Sequence, residues 1–375
     1  MLDSSRRNDT HGTGGAPCAG DAAEASRSVA ARDTLELLVR FPSLARHGRV
    51  ALGAFPTPVE RVEMAGVRGP LWVKRDDLNA TALSGAAAGC AAGNKLRALE
   101  FLLAHVTPGD TVLALGGEGS THVLATVVLA QHLGARVLAM RWPHEMNETA
   151  RRVERRAREL AHDVRCAGGP VRAVVGGWIA ARRARAAPAT RWVPPGGASP
   201  LGMLGAVNAG LELAAQVGRG ELPPPAHVVL PLGTGGTAGG LALGFAIAGL
   251  DTQVVGVRVA PRVMANAWRV RGLAHRCARL IEQTTGTRVP RVTRRGIRVL
   301  HRFYGGAYGR PLGAAQEVRR EFERETGVLL DDTYGAKAFA AAVELAQTSD
   351  AATLYWLTFD ARWVSEQSVQ TTPQP

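Results

Sequence analysis

The chain has 375 residues, of which 46% are hydrophobic, so it is long enough for one large domain or two domains with sizeable cores. Its formal net charge is +13, but the basic residues are spread along the whole chain and aromatic residues make up only 5%. Nucleic acid is therefore not an expected partner, because such binding combines a basic cluster with stacking aromatic side chains. No run of 18 apolar residues occurs, so no membrane span is expected.

The beginning of the chain contains no apolar segment of the kind found in secretory signals, so a cytoplasmic protein is expected. Residues 1–32 are polar and aperiodic and are predicted to form a disordered tail. Residues 83–93 (LSGAAAGCAAG) have low complexity and are predicted to form an inserted flexible loop. The cysteines are too far apart to indicate a zinc site or a disulfide framework. They are Cys18, Cys90, Cys166 and Cys277.

The first regular elements are predicted between residues 96 and 165. Apolar residues at helical spacing follow Lys95, namely Leu96, Leu99, Leu102, Leu103 and Val106. Next come a buried strand (110–117), a helix (121–134) and a second strand (135–142), which together form a βαβ unit. The densest basic run, at 151–165, also contains acidic residues and is interpreted as a solvated helix face.

A similar pattern recurs later in the chain. The segment HVVLPL (227–232) predicts a strand, GTGGTAGG (233–240) a glycine loop, LALGFAIAGL (241–250) a helix and TQVVGVRVA (252–260) a strand. ATLYWLTF (352–359) is one more candidate strand. Alternating strands and helices predict an α/β fold built on parallel sheets, and the two separate units indicate two sheets.

Lysine is rare in this chain: only Lys74, Lys95 and Lys337 occur among 45 basic residues, and the other 42 are arginines. A lysine amine can lose its proton and form a Schiff base, which an arginine cannot do. Lys95 is thus a candidate nucleophile. The alternative is a lysine retained by chance or for a structural reason.

The loop formed by Gly233, Thr234, Gly235, Gly236 and Thr237 leaves a predicted strand and opens a predicted helix, a geometry that favours an anion. The dinucleotide fingerprint is matched formally, but the next strand ends without the acidic residue that a ribose needs. A single phosphate is the favoured ligand, and a tight turn without a ligand is the alternative. An imine-forming lysine together with a site for one phosphate suggests pyridoxal 5′-phosphate (PLP).

Several motifs occur in the order found in one enzyme family. They are PTPVERV, LWVKRDDL and GNKLRALEFLL before residue 104, Ser120-Thr121-His122, the segment 194–213, GTGGTAGG, YGRP and LLDDTYGAKAF. Over about residues 45–360 the chain resembles the 1-aminocyclopropane-1-carboxylate (ACC) deaminase / D-cysteine desulfhydrase family. These are fold-type-II PLP enzymes, more distantly related to the tryptophan synthase β subunit.

The resemblance implies two domains, each with a parallel twisted sheet flanked by helices. The larger domain would comprise residues 33–97 and 197–375 and bind PLP, and residues 98–196 would form the smaller one. It also implies a homodimer, no metal site, and a small amino acid as substrate. The reaction would be deprotonation at Cα followed by elimination, giving a 2-oxo acid and ammonia.

The resemblance also implies roles for individual residues. Lys95 would carry PLP covalently and then act as a base, and Ser120 would bind the substrate carboxylate or assist attack, unless it serves only as a helix N-cap. Tyr308 and Tyr334 would act as acids or as positioning groups. The remaining cofactor contacts would come from Asn94, Thr121, His122, the loop Gly233, Thr234, Gly235, Gly236 and Thr237, and Thr358.

Four positions depart from the family pattern. Thr121 replaces an asparagine, Gly335 replaces the glutamate of ACC deaminases, and Phe359 and Asp360 replace two glycines after Thr358. These departures argue against ACC ring opening. They leave two alternatives: a catalytically impaired homologue that serves as an interaction protein, and a β-replacement synthase or racemase with the same fold.

Overall fold

The structure is a computed structural model that describes residues 35–80, 83, 89–183, 190–307 and 309–364. The predicted tail (1–32) and Tyr308 lie outside the described residues, as do residues 84–88 of the predicted loop. Cys90, Ala91 and Ala92 are described and buried. The prediction of a flexible loop is therefore wrong for this part of 83–93.

The described strands are, in chain order, β1 (Val59–Val62), β2 (Leu71–Arg75), β3 (Thr111–Gly117), β4 (Arg136–Trp142), β5 (Asp163–Cys166), β6 (Thr190–Val193), β7 (His227–Leu232), β8 (Gln253–Arg258), β9 (Ile297–Leu300) and β10 (Thr353–Leu357). The helices are α1 (Glu36–Arg40), α2 (Asn94–Leu102), α3 (Thr121–His132), α4 (Glu148–Leu160), α5 (Pro170–Arg183), α6 (Pro200–Gly218), α7 (Gly236–Ala248), α8 (Ala267–Thr285), α9 (Gly313–Thr326) and α10 (Gly335–Thr348).

These strands form two sheets. The larger has the order β1-β2-β10-β7-β8-β9 and the smaller β5-β4-β3-β6. Every pairing is parallel except that of the edge strand β1 with β2. The predicted α/β class with two sheets flanked by helices is thus confirmed, with one antiparallel edge strand added. Parallel strands put their carboxyl ends at one edge of a sheet, where ligands bind in open α/β folds.

The strands of the smaller sheet lie within residues 111–193, and all strands of the larger sheet lie outside that range. All described residues belong to one compact unit. The division at 97/98 and 196/197 therefore stays a prediction. Among the described residues, no helix is long and apolar enough to cross a membrane.

The basic run at 151–165 is not only a solvated helix face, because it spans two elements and contains a buried carboxylate. Helix α4 ends at Leu160, and Asp163 already belongs to β5. Glu154 is buried, where it accepts hydrogen bonds from Arg141 of β4, from Arg158 and from the backbone N–H of Gly119. One face of this helix thus supports the loop that follows β3.

A buried ion network joins α2 to the larger sheet. Arg97 donates to Asp76 at 2.7 Å and to Glu212 of α6 at 2.8 Å, and Lys74 of β2 donates to Glu212 at 2.6 Å. Burial alone would raise the pKa of Glu212. The charges and hydrogen bonds of Arg97 and Lys74 lower it by more, so that the pKa is about 2. At neutral pH the carboxylate is charged and fixes α2, which carries Lys95, against α6.

Candidate active site

A cavity of about 210 Å³ lies at the carboxyl ends of strands from both sheets. The smaller sheet contributes Gly116, Gly117 and Trp142 at the ends of β3 and β4. The larger sheet contributes residues at the end of β7 and just after β8 and β10. The predicted site residues that line it are Asn94, Lys95, Ser120, Thr121, His122, Gly233, Thr234, Tyr334 and Thr358. Gly236 and Thr237 line a smaller adjoining pocket together with Asn94 and Lys95.

Lys95 lies in the first turn of α2 and lines both pockets. Burial lowers the pKa of this amine from its ordinary 10.5 to about 8. Within the described part of the chain, Lys95 has no carboxylate partner that would hold its charge. Its environment therefore raises the fraction of neutral amine above that of an ordinary lysine, and the neutral amine is the form that can react with an aldehyde or accept a proton.

The other two lysines occupy different environments and do not line the cavity. Lys74 is fully buried and donates to Glu212, to Gln216 and to the carbonyl of Thr57. Lys337, in α10, donates to the carbonyl of Tyr304 at 3.0 Å, and burial lowers its pKa to about 8. A lowered pKa thus does not single out Lys95; its position in the cavity does.

Close packing fixes the start of α2 beside the end of β10. Gly93 has φ +128°, and a Cβ there would lie 2.2 Å from the carbonyl oxygen of Thr358, so only glycine fits. The side-chain amide of Asn79 bonds to both the N–H and the carbonyl of Gly93, each at 3.0 Å. The backbone N–H of Asn94 donates to Thr358 at 3.1 Å. These contacts bring Thr358 next to Lys95.

The glycine loop ends at Gly235, which has φ +91° and is the N-cap of α7 without a side-chain hydrogen bond. The first N–H groups of a helix have no partner inside the helix, so here they are open to an anion. Helix α7 begins at Gly236, within the predicted loop and before the predicted start at 241. Asn94 donates to the hydroxyl of Thr237 at 2.8 Å and so ties the loop to the helix of Lys95.

The other wall of the cavity is the start of α3. Ser120 is the N-cap, and its hydroxyl accepts from the N–H of Val123 at a long 3.5 Å. Its capping role and its position in the cavity therefore coexist. His122 donates from Nε2 to the carbonyl of Pro194 at 3.0 Å, since a carbonyl can only accept. Its Nδ1 is then an unprotonated acceptor, and it has no hydrogen-bond partner among the described residues.

Burial, and then the positive charge of Lys95, lower the pKa of His122 to about 3. Its ring is thus neutral at physiological pH. A neutral ring beside Lys95 adds no positive charge to the wall of the cavity.

Tyr334 lines the cavity and precedes α10. The buried carboxylate of Asp331 accepts hydrogen bonds from the backbone N–H groups of Thr333, Tyr334 and Gly335 at 2.8–3.0 Å. Sequence reasoning missed this residue, although LLDDTYGAKAF contains it. Gly335 does not line the cavity; a Cβ there would meet the Asp331 carboxylate at 3.0 Å.

The two residues that replace glycines after Thr358 are accommodated. Phe359 lines the cavity and packs edge-on against Trp363, with ring centroids 5.8 Å apart. Asp360 is buried and accepts two hydrogen bonds from the Arg362 guanidinium, each at 2.8 Å. Sequence reasoning also missed the apolar part of the wall, which includes Trp142, Pro170, Pro195, Pro261 and Met264.

The arrangement fits PLP. An amine with a lowered pKa and the open N-terminus of α7 border adjoining pockets, and the unpaired Nδ1 of His122 belongs to a side chain of the same wall. Lys95 would hold the aldehyde carbon and the loop at 233–237 the phosphate. No group of His, Cys, Asp and Glu side chains in the described residues could hold a metal ion.

Comparison with known proteins decides the family. Residues 50–356 match the family described as pyridoxal-phosphate dependent enzyme. The chain belongs to this family. The predicted cofactor and the predicted PLP-enzyme class are thereby confirmed.

Several relatives of this PLP enzyme are similar to it over most of their length. It is 34% identical to nocardicin C-9′ epimerase from Nocardia uniformis subsp. tsuyamanensis, covering 85% of this chain and 94% of that one. It is 30% identical to a putative ACC deaminase from Pyrococcus abyssi, with coverage of 84% and 89%. For D-cysteine desulfhydrase from Salmonella paratyphi C the identity is 29%, with coverage of 83% and 90%.

Solved structures support the fold. The crystal structure of an ACC deaminase homologue superposes with a TM-score of 0.71 at 25% identity, covering 89% of this chain and 98% of that one. Threonine deaminase isoform 2 from Solanum lycopersicum has a TM-score of 0.56 at 14% identity, with coverage of 90% and 85%, and shows the shared fold alone.

Proposed function

We propose that this PLP enzyme is a lyase that eliminates a leaving group from Cβ of an amino acid and yields a 2-oxo acid and ammonia. The observation that carries the proposal is that Lys95 lines the cavity and that the pKa of its amine is lowered to about 8. Relatives named ACC deaminase and D-cysteine desulfhydrase support this reaction class.

PLP, when bound, supplies an electron sink for the negative charge that develops at Cα. Lys95 accepts the Cα proton on its neutral amine. The substrate carboxylate binds at the N-terminus of α3, where the N–H groups of Thr121 and His122 lack helical partners and the Ser120 hydroxyl is held only by a long bond. Tyr334, fixed through Asp331, positions the substrate or donates a proton to the leaving group.

Thr358 is the proposed partner of the pyridine nitrogen. Gly335 provides no carboxylate, and the position after Tyr334 does not face the cavity. A hydroxyl beside this nitrogen does not hold it protonated, so the electron sink is weaker than one with a carboxylate partner. Elimination of a good leaving group tolerates a weaker sink, whereas opening an unactivated cyclopropane ring does not.

The test measures ammonia and the 2-oxo acid, which is pyruvate from D- and L-cysteine and from both enantiomers of β-chloroalanine, and 2-oxobutanoate from ACC. We expect turnover of at least one cysteine or chloroalanine enantiomer and little or none of ACC. Robust ammonia release from ACC would contradict the proposed role of Thr358. Protein that binds PLP but turns over none of these compounds would be an impaired homologue instead.

A second candidate is epimerisation at Cα, and the 34% identity with nocardicin C-9′ epimerase favours it. Lys95 and Ser120 both line the cavity and would exchange the Cα proton. The distinguishing measurement is deuterium uptake at Cα from heavy water together with inversion of the substrate, without pyruvate. A homodimer and a cytoplasmic location are proposed from the family resemblance, and light scattering of the purified protein tests the first.

A further inference from the structure

The cavity wall contains no carboxylate and no guanidinium among the residues that the structure describes. Apart from Lys95, the ionisable side chains that line it are His122, His144 and Tyr334. A substrate substituent that carried a charge would lose its hydration there without meeting an opposite charge, which is costly. The wall therefore selects against a charged substituent.

Apolar side chains from both sheets complete the wall. Trp142 ends β4 of the smaller sheet, and Met264 follows β8 of the larger sheet. Both are half-buried, so part of each side chain remains available for contact. Pro170 and Pro261 also line the cavity and are exposed to solvent, which places them at its opening.

Exposed apolar side chains follow both of these prolines along the chain. Seven large apolar side chains are exposed in the described residues, and six of them follow one of these two prolines closely in sequence. Val171 is 74% exposed, Val263 80% and Trp268 79%; the other three lie on α5. Exposed large apolar side chains are typical of a binding surface, and here they follow residues that line the cavity.

We propose that the substrate is a β-substituted alanine whose leaving group carries a bulky, uncharged apolar substituent, such as an S-alkyl or S-aryl cysteine, and that Trp142 and Met264 select it. This inference rests on the proposed elimination. The Cα proton moves to Lys95, the Cβ–S bond breaks with its electron pair on sulfur, and the thiolate takes up a proton. Water hydrolyses the released enamine, so that substrate and one water give thiol, pyruvate and ammonium.

The first experiment compares S-benzylcysteine with S-carboxymethylcysteine, each as both enantiomers, using the PLP-loaded enzyme. The two compounds share the leaving atom and differ in the charge of the substituent. We expect kcat/KM for the benzyl compound to be higher by about tenfold or more, the discrimination typical of a site that contacts the distinguishing group. Equal or reversed kcat/KM values, with pyruvate formed, would overturn this inference and leave the elimination intact.

Binding is measured separately from turnover. The α-methyl derivatives of the same two compounds lack the Cα proton and cannot undergo elimination. Calorimetry should give a Kd for α-methyl-S-benzylcysteine about tenfold or more below that of the carboxymethyl analogue. This result together with no pyruvate from any substrate would contradict the proposed function while supporting the substrate class. Equal affinities would overturn the substrate class.

Two pairs of variants locate the selectivity. Met264→Lys places a cation in the wall and should shift preference towards the carboxymethyl compound, whereas Val39→Lys, at an exposed valine distant in sequence from the cavity segments, should leave the preference unchanged. Val263→Ser should weaken binding of the benzyl compound and Val39→Ser should not. An unchanged ratio in Met264→Lys, with the protein folded and PLP bound, would remove Met264 from the binding surface.

Discussion

The ionisation of Lys95 gives a quantitative prediction for the cofactor-free protein. Burial lowers the pKa of its amine from 10.5 to about 8. At about pH 7 roughly 9% of the amine is then neutral, compared with roughly 0.03% for an ordinary lysine. Because only the neutral amine attacks an aldehyde, the protein should capture PLP about 300-fold faster at this pH than a lysine in solution with equal intrinsic reactivity.

The assay mixes cofactor-free protein with PLP and follows the visible absorption of the lysine-bound cofactor from about pH 6 to about pH 10. The second-order rate constant should rise about tenfold per pH unit at low pH and level off above about pH 8, because a lowered lysine pKa moves the neutral form to lower pH. Nα-acetyl-lysine is the solution reference.

A rate constant that kept rising from about pH 8 to about pH 10 would refute the lowered pKa. Lys95→Arg serves as the control variant, since it keeps the charge and removes the reactive amine. It should show no absorption of a lysine-bound cofactor, while its far-ultraviolet circular dichroism remains that of the parent protein.

Three further predictions concern the phosphate loop, the nitrogen partner and the buried ion network. Gly233→Asp should reduce PLP affinity strongly, because Gly233 lines the cavity and its added carboxylate would repel the phosphate. Gly218→Asp, at the end of α6, is the control, since a Cβ there is equally unobstructed; equal PLP affinities of the two variants would show that the loop does not hold the phosphate. Thr358→Val should lower elimination by roughly ten- to a thousand-fold with PLP still bound, and parent-level turnover would contradict its role. Glu212→Gln should reduce the free energy of unfolding by about 3–5 kcal/mol, because it removes the carboxylate partner of Lys74 and one of the two carboxylates that Arg97 contacts; a denaturant titration showing a loss of less than about 1 kcal/mol would contradict this.

The pKa of Glu212 also sets the lowest pH at which this carboxylate stabilises the folded protein. Because its pKa is about 2 in the folded protein and about 4.5 when unfolded, its stabilisation is present above about pH 4.5 and is lost as the pH falls through about 2. In Glu212→Gln the free energy of unfolding should depend less on pH across this interval. If the free energy of unfolding depended on pH equally in parent and variant, groups other than Glu212 would be responsible for the loss of stability in acid.

Local periodicity predicted the elements that form the cavity edge. The strand at 227–232 was predicted with its observed bounds, because a parallel strand buried on both faces is a continuous apolar run. The sequence predicted the start of α7 at residue 241, five residues too late, because Gly236, Gly239 and Gly240 have low helix propensity. These glycines are required by the close packing of α7 against α6: a Cβ at Gly240 would lie 2.4 Å from the Cβ of Ala206.

Hydrogen bonds from side chains to the backbone were not predictable from spacing. Asn79 holds Gly93, and Asp331 holds the backbone of Tyr334, yet nothing in the periodicity of either segment distinguishes these side chains from ordinary turn residues. The apolar wall was missed for the same reason: Trp142 and Met264 are far apart in sequence and meet only at the edges of two different sheets. The order of the family motifs predicted that the polar residues share one site, but it did not predict the apolar residues of the cavity wall.

The central claim is that Lys95, and neither of the other two lysines, holds the cofactor. The direct measurement is borohydride reduction of the PLP-loaded protein, followed by proteolysis and mass spectrometry of the peptides that contain Lys74, Lys95 and Lys337. We predict that the pyridoxyl label is confined to the Lys95 peptide. A label on Lys337, whose pKa is also lowered to about 8, or on Lys74 would contradict the account.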